Sequence, residues 1–384
     1  MFNYVDIKFV NRGFAAPPER ISSFKLLSER YSHELAVVTF RDWEVPYEAI
    51  KPGMPVLCVL KSPEGKREFF SYVHHVNPKY TPGKRFTTVV LIGASYVMKQ
   101  AHQRIFKNIT ADKVVKKIAS EHGFASEVEP HPRVYDQIAQ AGHTDLEIMV
   151  RLAKQSGYSL RIKDTTVYFK PQAFDYNSLQ ANAPAFVMRS TGDPSGSTLY
   201  SFDLLAGESI FYRDAMKSAV AVSGVDPSTT NPIAYTNQTR DTAMRVNQSS
   251  EVFDRFATDI VAPGFAPAYY EALAADARNK YPYRASIVVS GRPDITPDTP
   301  IFLDGLGPQY SGYWIVLSVE HRIVEQSLNE FKFTSIMEIG ADSLGTAKVT
   351  PEGNINRVPN VNTGIIVSPK LAKKQSVNRT VLTR

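Results

Sequence analysis

Residues 50–56 read IKPGMPV, and residues 295–301 read ITPDTPI. In each phrase a proline, two residues and a second proline precede an apolar run. Proline fixes φ and lacks an N–H, so it suits a turn or a strand start and not the middle of a ladder. The first phrase leads into VLCVLK, a turn at Gly65, FFSYVHHV, a Pro/Gly turn, and FTTVVLIGAS. The second leads into IFLDGLG, a turn at Gly312, YWIVLSVEHRI, a polar turn, and FKFTSIMEIGADS. Pro52 to His75 spans 23 residues and Pro297 to His321 spans 24; Pro52 to Gly93 spans 41 and Pro297 to Gly340 spans 43. This punctuation reads as one β-unit written twice, with Pro52, Pro55, His75 and Gly93 answering Pro297, Pro300, His321 and Gly340. Unrelated three-strand meanders share such spacing, but the IGA ending at the matching offset favours duplication.

Further strands are expected at YVDIKFV and HELAVVTF in the first copy. In the second they are expected at LYSFDLL, SAVAVSGV and RASIVVSG. Ile315, Leu317 and Val319 are expected to alternate along one of them. Short strands without βα alternation point to small antiparallel barrels or sandwiches.

Between the copies the hydrophobic period changes. In TADKVVKKIASEHG, Thr110 is placed to cap a helix whose face is Val114, Val115, Ile118 and Ala119, with Gly123 as its stop. In TDLEIMVRLAKQSG, Thr144 and Glu147 have capping-box spacing, and Leu146, Met149, Val150 and Ala153 form the buried face up to Gly157. YSLRI and TVYFK then form a hairpin, giving a small α/β module. A third helix is expected at PAYYEALAADARNKY, with Pro267 at its first turn and Leu273, Ala274 and Ala277 inward.

The chain has 384 residues, enough for two or three cores, and its 19 Tyr and 21 Phe suit half-buried pleated surfaces. No apolar run approaches the roughly 20 residues that span a bilayer, and the N-terminus lacks the pattern of an export signal. The single cysteine, Cys58, lies in VLCVL and reads as a buried thiol, which fits assembly in a reducing cytoplasm. The net charge is +6, and residues 344–384 hold seven basic residues against one acidic, which is the whole excess. The body is therefore neutral and carries no signal for nucleic acid.

A search for chemistry returns little. HExxH, CxxC, GxSxG and the Walker lysine loop are absent. His74 and His75 are adjacent, so on a regular strand they point to opposite faces and cannot share a metal. Asp145/Glu147 suit a helix N-terminus and Asp294/Asp298 suit turns. No catalytic, cofactor-binding or metal-binding residue is expected.

The module, FKNITADKVVKKIASEHGF through TDLEIMVRLAKQSGYSLRIKDTTVYFKP, resembles the middle module of phage tail baseplate hub proteins. These are the late-control D family, the T4-type hub and the related spike proteins of type VI secretion. Asp145, Leu146, Glu147, Arg151, Leu152, Ala153, Gly157 and Tyr158 match its second-helix pattern. Gly312, Tyr313, Ile315, Val319 and His321 match a later strand. The resemblance covers about residues 99–171 and 283–343.

It implies a mainly β fold with an α/β module: two tail-tube-like antiparallel β-barrels, the second split by a helical insertion. The expected domains are residues 1–98 (first barrel), 99–172 (module), 173–343 (second barrel, insertion at about 227–282) and 344–384 (an extended basic arm). It further implies a non-enzymatic hub of the virion tail. A homotrimer would adapt a sixfold tail tube protein to a threefold spike, because a threefold ring presents six similar patches only if each chain supplies two. A separate spike protein is expected because nothing after Ser343 reads as a lysozyme domain or a needle. Other baseplate proteins and the tape-measure protein are further expected partners, and DNA would pass the channel without specific binding. The arm, with Ile365, Ile366, Val367, Lys370, Lys373 and Lys374, is expected to dock on a partner; by composition alone it would be disordered. Competing readings are a tail-tip peptidoglycan hydrolase or peptidase, and a DNA-binding protein acting through the basic tail.

Overall fold

The computed structural model describes residues 4–10, 13–42, 50–172, 185–191, 193, 196–206, 219–225, 232–237, 255–257, 265–278, 281, 283–327 and 330–341. The chain is mainly β. Its first part contains β1 (Val5–Phe9), β2 (Phe14–Ala15), β3 (Ile21–Glu29), β4 (Leu35–Arg41), β5 (Pro55–Ser62), β6 (Gly65–Thr81) and β7 (Lys84–Gly93). Alternation drives these strands. Ala36, Val38 and Phe40 of β4 and Val56, Cys58 and Leu60 of β5 are all within 1% of full burial, while their neighbours, apart from the buried Val59, are partly exposed. The strands pair in the order β3-β4-β7-β6-β5-β1-β2.

The module follows as β8 (Ala101–Thr110), α1 (Ala111–Glu121), β9 (Ala125–Val128), β10 (Val134–Thr144), α2 (Asp145–Ser156), β11 (Tyr158–Lys163) and β12 (Thr166–Pro171). Thr144 and Glu147 form the reciprocal capping box, and Gly157 ends α2 at φ +67°. Thr110 stands at the N-cap of α1 but makes no side-chain cap bond. Val114, Ile118, Met149, Leu152, Leu160 and Phe169 close a core of their own beneath both helices.

The last part contains β13 (Val187–Arg189), β14 (Leu199–Ala206), β15 (Ala219–Val225), β16 (Pro232–Asn237), β17 (Arg255–Ala257), α3 (Phe265–Arg278), β18 (Tyr283–Ser290), β19 (Pro300–Asp304), a short α4 (Gly307–Tyr310), β20 (Gly312–Ser327) and β21 (Glu330–Ala341). Its principal strands pair as β14-β18-β21-β20, with β19 on β20 and β13 on β19. That is the order of the first part, strand for strand, from β3 to β5. Two expectations are corrected. SAVAVSGV, as β15, pairs with β16 and β17 in a separate small sheet. Leu273 of α3 is 37% exposed, while Glu271, Ala272, Ala274 and Ala275 are buried.

The described residues of the two parts do not close as two separate barrels. Among the described residues thirteen strands form one sheet, joined where the outer half of β20 pairs with β3. The join has its own core: Ile323 of β20 and Phe333 of β21 lie in the first part's cluster with Phe24 and Leu26. Burying an aliphatic or aromatic side chain of this size stabilises by about 1.5–3 kcal/mol, so the seam is a structural joint.

Candidate assembly surface

The two proline phrases adopt the same turn. Pro52 precedes Gly53 at φ +84°, and the Met54 N–H donates to Lys51 O at 3.1 Å; Pro297 precedes Asp298 at φ +68°, and the Thr299 N–H donates to Thr296 O at 3.2 Å. Proline followed by a left-handed residue is the pattern of a type II turn, which glycine enters freely and aspartate tolerates. Each turn then grips the next long strand. The Gly53 N–H donates to Val73 O at 2.7 Å and the Val73 N–H to Met54 O at 2.8 Å. The Asp298 N–H donates to Val316 O at 2.8 Å and the Val316 N–H to Thr299 O at 3.0 Å. Pro55 pairs with Tyr72 and Pro300 with Ile315, so the second prolines also occupy matching ladder positions.

Histidine and glycine are not matched in the same way. A one-residue bulge follows each gripped valine, between Val73 and His75 and between Val316 and Ser318. Counting from the bulges sets His75 level with Ser318, and His321 level with Pro78. Gly93 falls level with Ala341, one place beyond Gly340. The bulge also breaks the alternation of Ile315, Leu317 and Val319, and it overturns the expectation for His74 and His75. Their rings lie side by side, with Nδ1 atoms 2.6 Å apart.

His321 is fully buried; its Nδ1 lies 2.9 Å from Ser335 Oγ and its Nε2 3.2 Å from Ile295 O. Burial pushes its pKa down to about 3, with the Arg67 charge adding to the effect. The neutral ring donating from Nε2 satisfies both contacts, so His321 is a packing residue.

The second turn is enclosed. Asp298 Oδ1 lies 2.5 Å from Arg30 Nη2, and Ser159 Oγ donates to Asp298 Oδ2 at 2.6 Å. Arg161 donates to Pro297 O at 2.8 Å and also to Thr296 Oγ1. Beside it Arg67 pairs with Glu34, which accepts from Ser28 Oγ at 2.7 Å. Ser159 and Arg161 thus tie the module to the second β-part, and Arg30 ties the first β-part to the same turn. Lys51, Pro52 and Gly53 of the first turn are exposed.

The described residues offer no catalytic constellation. Among them no three His, Cys, Asp or Glu side chains cluster closely enough to hold a metal, and no helix is long and apolar enough to cross a membrane. Asp145 is the most crowded carboxylate, with Gln140, His122 and Arg104 at 2.8, 2.7 and 2.6 Å. Burial favours its neutral form, but the hydrogen bonds from Gln140 and His122 and the Arg104 charge outweigh that and hold its pKa below the usual range. It is a saturated counter-ion that pins α2 to β8 and β10. Burial likewise pushes the Cys58 thiol up, away from reactivity. The docking residues Ile365, Ile366, Val367, Lys370, Lys373 and Lys374 lie outside the described residues.

Several exposed apolar side chains lie on β6 and β14, besides those at Val10, Ile105, Val134, Leu273 and Val324. Tyr80 on outer β6 is 70% exposed, and Tyr200, Leu204 and Leu205 on β14 are 50%, 37% and 60% exposed. The sequence hides this surface: Tyr80 reads as part of a Pro/Gly turn although β6 runs on to Thr81, and Leu204 and Leu205 read as an ordinary strand until the partner strand proves absent.

The chain overlays a tail protein of Neisseria meningitidis at TM-score 0.62 and 12% identity, over 88% of this chain and 96% of that one. It overlays the 43 kDa tail protein of prophage MuSo2 from Shewanella oneidensis at TM-score 0.62 and 12% identity, over 89% and 99%. An E. coli type VI secretion component, itself described as similar to T4 tail proteins gp27 and gp5, overlays at TM-score 0.52 and 10% identity, over 88% and 75%. No curated protein sequence matches. The model for the phage tail baseplate hub (GPD) family matches residues 26–327, and the chain belongs to that family. It is a structural, non-enzymatic component of a virion tail.

Proposed function

We propose that three copies of this chain form a ring that adapts a sixfold tail tube to a threefold central spike. The observation that supports this reading most is the shared strand order and shared proline turn of the two β-parts. A closed threefold ring of two-part chains offers six similar patches to a sixfold partner. In this reading residues 1–98 and 173–343 are two copies of one unit, residues 99–172 lock them together, and residues 344–384 reach a neighbouring chain, the spike or another baseplate protein. The tape-measure protein and DNA pass through the channel, which needs no base-reading groups. Multi-angle light scattering on the full chain, alone and mixed with its tube and spike proteins, tests the reading. A mass of three chains is expected; a dimer or monomer under both conditions overturns it.

A further inference from the structure

The join inside one chain shows how two β-units connect, and the same two pieces stand open elsewhere on the molecule. At the join, β20 pairs antiparallel with β3 in a register running from Ser318↔Glu29 to Val324↔Ser23. The counterpart of β20 is β6, since each carries the bulge after the valine held by its proline turn. The counterpart of β3 is β14. Each pairs with its neighbour through a bulge at its start, Ile21/Ser23 against β4 and Leu199/Ser201 against β18. Aligning on these bulges sets Ile323 level with Tyr80 and Arg322 with Lys79. It also sets Phe24 level with Phe202, Lys25 with Asp203 and Leu26 with Leu204.

Among the described residues no strand pairs with β6 beyond Tyr72 on the side away from β7, or with β14 on the side away from β18. Burial records the difference. Ile323 is 1% and Leu26 0% exposed at the join, whereas their counterparts Tyr80 and Leu204 are 70% and 37% exposed.

We infer that β6 of one copy pairs antiparallel with β14 of a second copy of this chain, in the register that joins β20 to β3. This rests on the proposed ring and names its seam. Carrying the register over sets Tyr80 opposite Phe202, Lys79 opposite Asp203, and Pro78 opposite Leu204. Opposite charges directly across a ladder attract and like charges repel. Lys79 therefore meets an opposite charge in Asp203, whereas the join within the chain sets Arg322 opposite Lys25. Pro78 and Lys79 also suit an edge that must not pair indiscriminately, since proline withholds a donor and lysine resists burial.

Cysteine cross-linking in the full chain tests the seam. Directly opposed residues lie about 4.5–5.5 Å apart at Cα, within disulfide reach, and native Cys58 is fully buried. Lys79→Cys chains are mixed with Asp203→Cys chains, oxidised, and run on a non-reducing gel beside a light-scattering measurement. A two-chain product from this mixture, and not from either variant alone or from Lys79→Cys with Tyr200→Cys, is expected. A three-chain assembly that gives no such product, or gives it equally with Tyr200→Cys, overturns the seam and leaves the ring standing. The in-register product in an assembly that is not three chains keeps the seam and overturns the ring. A single chain at every concentration, without product, overturns both. In addition, Lys79→Glu should weaken self-association about fivefold, and Lys79→Glu with Asp203→Lys should restore it; equal loss in both variants contradicts the pairing.

Discussion

Asp298 Oδ1 lies 2.5 Å from Arg30 Nη2, and this contact ties the proline turn of the second β-part to the end of β3 in the first. Arg30 is 9% exposed at its side chain and Asp298 30%. Removing the carboxylate leaves a nearly buried guanidinium short of its partner. Asp298→Asn retains tolerance of the left-handed φ and removes the charge. We expect it to cost about 1–2 kcal/mol, less than a fully buried pair because Asp298 is partly solvated. Urea unfolding checks this; an unchanged midpoint would show the pair to be incidental.

His321 makes stability depend on pH. Its folded pKa is depressed to about 3, below the ordinary value near 6.5. The unfolded chain therefore binds a proton that the folded chain refuses, and stability falls as pH drops from about 6.5 towards 3. At pH 5 the loss from this group is about 2 kcal/mol relative to pH 7.5. His321→Gln should be less stable at pH 7.5 and flatter between pH 7.5 and 5. An unchanged slope, measured by denaturant titration at both pH values, counts against a neutral buried ring.

Gly157 and Gly123 both have positive φ, at +67° and +71°, but differ in their surroundings. A Cβ at Gly157 would meet Ala277 Cβ at 2.8 Å and Ala274 Cα at 3.0 Å, whereas one at Gly123 would meet nothing within 4 Å. Gly123→Ala should cost about 1 kcal/mol of backbone strain. Gly157→Ala should cost about 1–3 kcal/mol more, because α3 must shift off α2. Equal midpoints in thermal unfolding would contradict close packing of the two helices.

Residues 344–384 carry the whole excess positive charge. If they dock on a neighbour, deleting them should weaken assembly several-fold and leave the unfolding midpoint of the body unchanged. Analytical ultracentrifugation separates the two effects. Loss of salt-sensitive DNA retention with assembly intact would instead favour a DNA-binding tail.

Much of this fold was legible in the sequence because alternation and punctuation are local. The proline turns, the capping box at Thr144 and Glu147, and the strands around Val38 and Val56 follow from residue order alone. The β3 strand was not legible: its bulge at Ser22 and Ser23 interrupts the period of two, so ISSFKLLSE lacks a clean strand pattern. The misaligned histidines have another cause: Pro52 to Val73 spans 21 residues and Pro297 to Val316 spans 19, so the stretch leading into β6 is two residues longer and shifts every position counted from the prolines. The open edges of β6 and β14 were hidden for another reason. Exposure is a property of which strands meet, and Tyr80 and Leu204 carry no local mark of lacking a partner.

Electron cryo-microscopy of the purified assembly, viewed down its axis, tests the central claim most directly. The account predicts three chains around a channel, six β-units in near-sixfold arrangement, and β6 of each chain continuous with β14 of the next. Two chains, or three chains whose β-units do not form one ring, would contradict it.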